Sequence, residues 1–99
     1  MSPSPDQPVV ITITTQEIDA ATAADFAAEL AAADGSHRAV AIDLGAVTFL
    51  DSRGVAVLVD TCRRLRSAGT TIELRNPTTA VRRVLDITGV WSLAHDEWA

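Results

Sequence analysis

The chain has 99 residues, enough for one domain and no second one. Its 47% hydrophobic share includes seventeen alanines, and the larger apolar residues suffice for one compact core, whereas a disordered chain would be poorer in Val, Ile and Leu. Nine Asp and four Glu against eight Arg and no Lys give a net charge of −5, a poor basis for binding a phosphate backbone, which needs clustered cations.

Residues 1–8 hold three prolines and two serines and read as an unpacked, disordered tail, with residues 9–99 as the folded domain. The tail has neither the basic nor the apolar region of a signal peptide. No run of about eighteen apolar residues is present to cross a membrane. The single Cys62 allows neither an internal disulfide nor a zinc centre. The expectation is a soluble, cytoplasmic protein.

Val9 to Thr14 are six β-branched residues in a row and predict a strand. From Thr22 to Ala33, Ala23, Phe26, Ala27 and Leu30 recur at helical spacing, with Asp19 or Thr22 as cap and Asp34–Gly35 as stop. A second strand covers Ala39 to Leu44. After Gly45, Val47 to Leu50 is apolar and extended. A second helix follows Asp51, with Val55, Leu58, Val59, Cys62 and Leu65 on one face. Arg63, Arg64 and Arg66 sit near its negative dipole end, and Gly69 stops it. Thr70 to Arg75 alternates cleanly as a strand, and Asn76–Pro77 breaks it. A third helix spans about Thr78 to Thr88, with Ala80, Val81, Val84 and Leu85 inward, Arg82 and Arg83 outward and Gly89 past its end. Val90 to Ala94 reads as a short last strand.

Strands alternating with helices predict an α/β fold: a small, mostly parallel four-stranded sheet flanked by three to four helices. In such sheets, sites lie beyond the carboxyl ends of the strands, which points to the loop from Leu44 to Gly54. Ser52 in that loop opens a helix, where free N–H groups and the dipole favour an added anion by roughly 0.3–1 kcal/mol. Gly54 leaves the first turn without a side chain, open to close approach by a partner backbone. A simple helix cap by Asp51 or Ser52 is the plainer account.

Catalysis finds no support. A serine nucleophile needs a positioned base, and His37 in a loop and His95 in the tail read as solvated. No G-x-S-x-G, Walker A or G-x-G-x-x-G pattern occurs. Asp43, Asp51 and Asp60 are too dispersed for a metal cluster. The chain reads as a non-enzyme with no cofactor of its own.

Three segments carry a family resemblance. Ala41-Ile42-Asp43-Leu44 followed by Val47-Thr48-Phe49-Leu50-Asp51-Ser52-Arg53-Gly54-Val55-Ala56-Val57-Leu58 resembles the STAS-domain signature, in which Asp-Ser-(Ser/Thr)-Gly leads into a helix. Glu17 to Ala23 resembles the family's Glu-Leu-Asp-x-x-Thr-Ala segment ahead of its first helix. Asn76-Pro77 and Ala80 to Val90 resemble its third helix. The branch most similar is the bacterial anti-sigma factor antagonists.

That resemblance implies an unmodified antagonist that binds an anti-sigma factor serine kinase and releases a sigma factor to promote transcription. It implies Ser52 as phosphoacceptor and a PP2C-type phosphatase that reverses the modification. Partner contacts are implied at Asp19, Thr22, Asp51, Arg53, Gly54 and Val55. ATP and magnesium would belong to the kinase. Arg53 departs from the pattern, which has Ser or Thr there. The alternatives are a STAS subunit docking on the ATPase of a lipid-transport ABC complex, and a STAS scaffold that is not phosphorylated. Trp91 and Trp98 are expected over an open sheet, as edge packing or as partner contacts.

Overall fold

The computed structural model describes residues 7–95; residues 1–6 of the expected tail and Trp98 lie outside them. The elements are β1 (Val9–Thr12), β2 (Glu17–Ile18), α1 (Ala23–Leu30), β3 (Ala39–Asp43), β4 (Phe49–Leu50), α2 (Ser52–Ser67), β5 (Thr71–Arg75), α3 (Thr79–Ile87) and α4 (Val90–His95).

β1, β3 and β5 form a parallel sheet in the order β1-β3-β5. Its register aligns Ile11, Ile42 and Leu74 in one row and Val40 with Ile72 in the next, all buried on the same face. The alternate rows hold Thr12, Asp43 and Arg75, then Val10, Ala41 and Glu73, so that face is largely polar. One buried face and one polar face follow from the period of two along a strand.

The predicted single four-stranded sheet is corrected: three strands form one sheet, and a two-stranded parallel ribbon of β2 and β4 stands apart. The chain is offset at two matching places. After β1, the Glu29 carboxylate accepts hydrogen bonds from the N–H and hydroxyl groups of both Thr14 and Thr15. After β3, Asp43 Oδ1 accepts from the Gly45 N–H (2.9 Å) and Val47 N–H bonds Leu44 O (3.0 Å). The N–H of Thr48 then reaches Gln16 O (2.8 Å) and that of Asp51 reaches Ile18 O (3.0 Å).

The expected last strand is instead α4. Val90 and Ala94, four apart, are both buried, and the helix lies against β5, α2 and α3. Helical spacing buries that pair on one side, which a strand would also do but without satisfying the local backbone, here bonded from Leu93 N–H to Gly89 O (3.0 Å). α1 is shorter than predicted, with Ala31 and Ala32 in a turn and Ala33 beyond it. Ala80, expected inward on α3, is exposed, while Val81 and Leu85 are buried as predicted. Gly69 and Gly89 stand past their helices at φ +85° and +79°, the left-handed conformation that favours glycine.

The arginines are more engaged than their sequence positions suggest. Arg64 donates to Ala33 O (2.9 Å) and Arg66 to Leu93 O (2.8 Å), tying α2 to the loop after α1 and to α4. Arg82 is not simply outward: its guanidinium lies 3.5 Å from the centre of the Trp91 ring and pairs with Asp86 at 3.0 Å. Trp91 is thus covered within the protein. His95, expected in a solvated tail, is half-buried at the end of α4, where Nε2 accepts from the Leu74 N–H (3.0 Å) and Nδ1 meets Trp91 O (2.9 Å). His37 is half-buried beside Asp34.

Candidate functional site at the start of helix α2

Ile18 and Leu50 are register partners on β2 and β4, both buried. The residues after them, Asp19 and Asp51, each turn the chain from strand towards helix with a carboxylate. Asp19 Oδ1 accepts from the N–H groups of Ala21 (2.9 Å) and Thr22 (3.1 Å). The Thr22 hydroxyl donates to Glu17 O (2.6 Å) and accepts from the Asp19 N–H (3.0 Å). Asp19 and Thr22 therefore hold the β2–α1 corner together.

Asp51 is the N-cap of α2, with extended backbone at φ −99°, ψ −172°. Its Oδ1 accepts from the N–H groups of Arg53 (2.8 Å) and Gly54 (3.3 Å). The cap is thus the aspartate, not the serine. Ser52 opens the helix, is exposed, and its hydroxyl bonds to no described residue. No base lies in hydrogen-bonding reach of it among the described residues. Arg53 is exposed as well and forms no ion pair there.

Gly54 faces inward, contrary to the expected open approach from outside. A Cβ on it would lie 2.3 Å from Leu50 Cδ1 and 2.6 Å from Ile18 Cγ2. The missing side chain lets α2 press onto the β2–β4 ribbon. Val55 is half-buried against the core. Of the candidate residues, only Ser52 and Arg53 present themselves fully to solvent; Asp19, Thr22, Asp51, Gly54 and Val55 build the platform beneath them.

One surface residue escaped the sequence reading. Phe49 on β4 is 49% exposed, three residues before Ser52. The signal was the pair Phe49–Leu50: on a strand two neighbours face opposite ways, so one of two large apolar residues must point outward.

Among the described residues no group of three or more His, Cys, Asp or Glu side chains could hold a metal ion, and no helix is long and apolar enough to cross a membrane. Cys62 is buried, and desolvation pushes its thiol up to about 11, with Arg66 partly opposing the shift, so it is a poor nucleophile.

No curated protein matches the sequence. Among solved structures, a candidate anti-sigma factor antagonist from Thermotoga maritima superposes with a TM-score of 0.73 at 21% identity, covering 90% of this chain and 80% of that one. At that identity the likeness establishes the fold: β1-β3-β5 with its ribbon and four helices is STAS-like. The family model described as "Mlab, STAS domain" matches residues 2–94, nearly the whole chain, and the chain belongs to the STAS domain family.

Proposed function

We propose that the chain is an anti-sigma factor antagonist: unmodified, it binds a kinase-type anti-sigma factor and so releases a sigma factor, and phosphorylation of Ser52 ends the binding until a PP2C-type phosphatase removes the group. The observation that carries the reading is the division of labour at the start of α2. Asp51 supplies the cap, so the exposed Ser52 hydroxyl is free to be modified without unravelling the helix.

A phosphoserine adds about −1.5 to −2 charges. Next to Asp51 each unit of charge is repelled by roughly 1–4 kcal/mol at contact distance, depending on the effective dielectric. The helix N-terminus offsets about 0.3–1 kcal/mol of this, and Arg53 next in sequence can offset more by pairing with the phosphate. The fold therefore tolerates the group. A partner pressed on the same surface must desolvate a dianion, at several kcal/mol unless it is paired, and every 1.4 kcal/mol is about tenfold in affinity.

The test is incubation with a kinase-type anti-sigma factor and ATP, followed by mass spectrometry and a pull-down. Phosphate on Ser52, absent from Ser52→Ala and abolishing capture of the kinase, supports the switch. Stable co-purification with a transporter ATPase and no phosphate overturns it.

One observation favours a second reading, a STAS subunit docked on the ATPase of a lipid-transport ABC complex. Where the anti-sigma antagonist pattern has a second hydroxyl residue, this chain has Arg53, exposed and unpaired among the described residues. In that reading Ser52 and Arg53 are interface groups and nothing is switched.

A further inference from the structure

We propose that Phe49 is the apolar anchor of the partner interface, seated in a pocket of the kinase-type anti-sigma factor, with Arg53 meeting a carboxylate at the rim of that pocket. The inference deepens the proposed function and rests on it.

Four large hydrophobic residues are exposed among those described: Val9, Val10, Phe49 and Ile87. Of these, Phe49 lies in the segment that leads into the candidate site, three residues before Ser52. Its orientation is fixed from both sides. Its ladder partner is Glu17, and its neighbour Leu50 is locked inward against Gly54, so the ring is held outward by the strand alternation. It makes no aromatic or cation contact within the described residues, unlike Trp91, which is covered by Arg82 and His95.

The residues beside it on the ribbon, Gln16 and Glu17 on one side and Thr48 on the other, are exposed, and the exposed Ser52 and Arg53 follow it in the chain by three and four residues. An aromatic ring on a rigid platform, ringed by polar groups, is the usual composition of an interface hot spot. The occupant follows from charge. The chain carries −5 overall and Glu17 sets a carboxylate across the ladder from the ring, yet the cation beside Ser52 has no ion pair among the described residues, whereas the Asp51 carboxylate is committed to two backbone N–H groups. A surface complementary to this edge is apolar at its centre and acidic opposite Arg53. The same surface would repel phosphorylated Ser52, which couples the anchor to the switch.

The experiment is calorimetric titration of the full chain with the purified kinase-type anti-sigma factor of the same organism. Phe49→Ala is expected to weaken binding roughly 10- to 50-fold, the factor for leaving half a phenylalanine ring unburied. Phe49→Leu keeps most of the affinity, and Ile87→Ala binds as wild type although Ile87 is more exposed. Circular dichroism confirms that each variant is folded at the assay temperature. If wild type binds and Phe49→Ala binds equally well, the anchor is refuted while the antagonist reading stands. If wild type fails to bind the anti-sigma factor but binds a transporter ATPase, both the anchor's occupant and the antagonist reading are overturned.

Discussion

Gly54 and Leu50 meet at the start of α2 with no room for a Cβ between them: one built on Gly54 would stand 2.3 Å from Leu50 Cδ1. Leu50 can swing its far methyl aside, but Ile18, 2.6 Å away at Cγ2, is β-branched and stiff. Gly54→Ala is therefore expected to destabilise the fold by about 1–3 kcal/mol, the usual range for overpacking a filled core. Urea unfolding measures it. Because the clash pushes α2 away from the β2–β4 ribbon, the variant should also bind the proposed anti-sigma factor partner less well than its residual stability alone would imply.

Asp51 and Ser52 should separate cleanly in stability. Removing the cap in Asp51→Ala orphans the N–H groups of Arg53 and Gly54 and is expected to cost about 0.5–2 kcal/mol. Asp51→Asn retains an acceptor and costs less. Ser52→Ala leaves the cap intact and should stay within about 0.5 kcal/mol of wild type, as for surface substitutions generally. A Ser52→Ala loss as large as that of Asp51→Ala would mean that the serine, too, is part of the cap.

Much of this platform was legible in the chain. Asp51 before a helical apolar stripe, Gly69 and Gly89 past two helices, and the alternation of Ile72 and Leu74 are local signals, and α2, β5 and α3 formed where they pointed. What was not legible depended on tertiary partners. Glu17–Ile18 is too short to register as a strand, and it pairs with Phe49–Leu50 beyond the place where Glu29, on α1, gathers Thr14 and Thr15. Val90 to Ala94 is five residues, apolar except for Ser92, too short for periodicity to divide between strand and helix; as a helix it packs against β5. Gly54 illustrates the same limit at the site: its lack of a side chain was visible, but the direction from which it is approached was not.

Acid should weaken the Glu29 clasp. Burial raises the Glu29 carboxyl, but the hydrogen bonds from Thr14 and Thr15 outweigh it and hold the group below its ordinary 4.5. The folded state then binds fewer protons at this site than the unfolded one, so its stabilisation is complete above about pH 4.5 and is lost as pH falls through the lower folded value. Glu29→Gln should be less stable than wild type at pH 7, with the difference narrowing as the pH is taken to 3. Thermal melts across that range check the sign; a gap that widens in acid would refute it.

Cys62 should be silent towards thiol reagents in the native state. Desolvation by the core raises the thiol to about 11, against which the nearby Arg66 charge is the lesser influence. At pH 8 the thiolate is therefore scarce as well as buried, and labelling with an aromatic disulfide should follow the rate of unfolding. Adding urea up to the transition should accelerate it sharply. Rapid labelling without denaturant would mean that α2 opens locally without global unfolding.

His95 makes the most demanding prediction, because its role lies far from the site. The Leu74 N–H, on the edge strand β5 whose ladder partner is β3, donates to His95 Nε2, so Nδ1 carries the proton and donates to Trp91 O. Replacing the ring by alanine leaves a buried backbone donor with no acceptor, at about 1–3 kcal/mol, and removes the ring that lies 4.2 Å from Trp91. His95→Ala should therefore lower the melting temperature and speed hydrogen exchange at the Leu74 amide more than at Ile72, while the phosphorylation of Ser52 that the proposed function calls for proceeds as in wild type. His95→Gln, which restores an acceptor of similar reach, should recover part of both the stability and the protection. If Leu74 exchanges no faster in the alanine variant, the hydrogen bond is not what holds α4 to the edge of β5, and the packing of Val90 and Ala94 must do so alone.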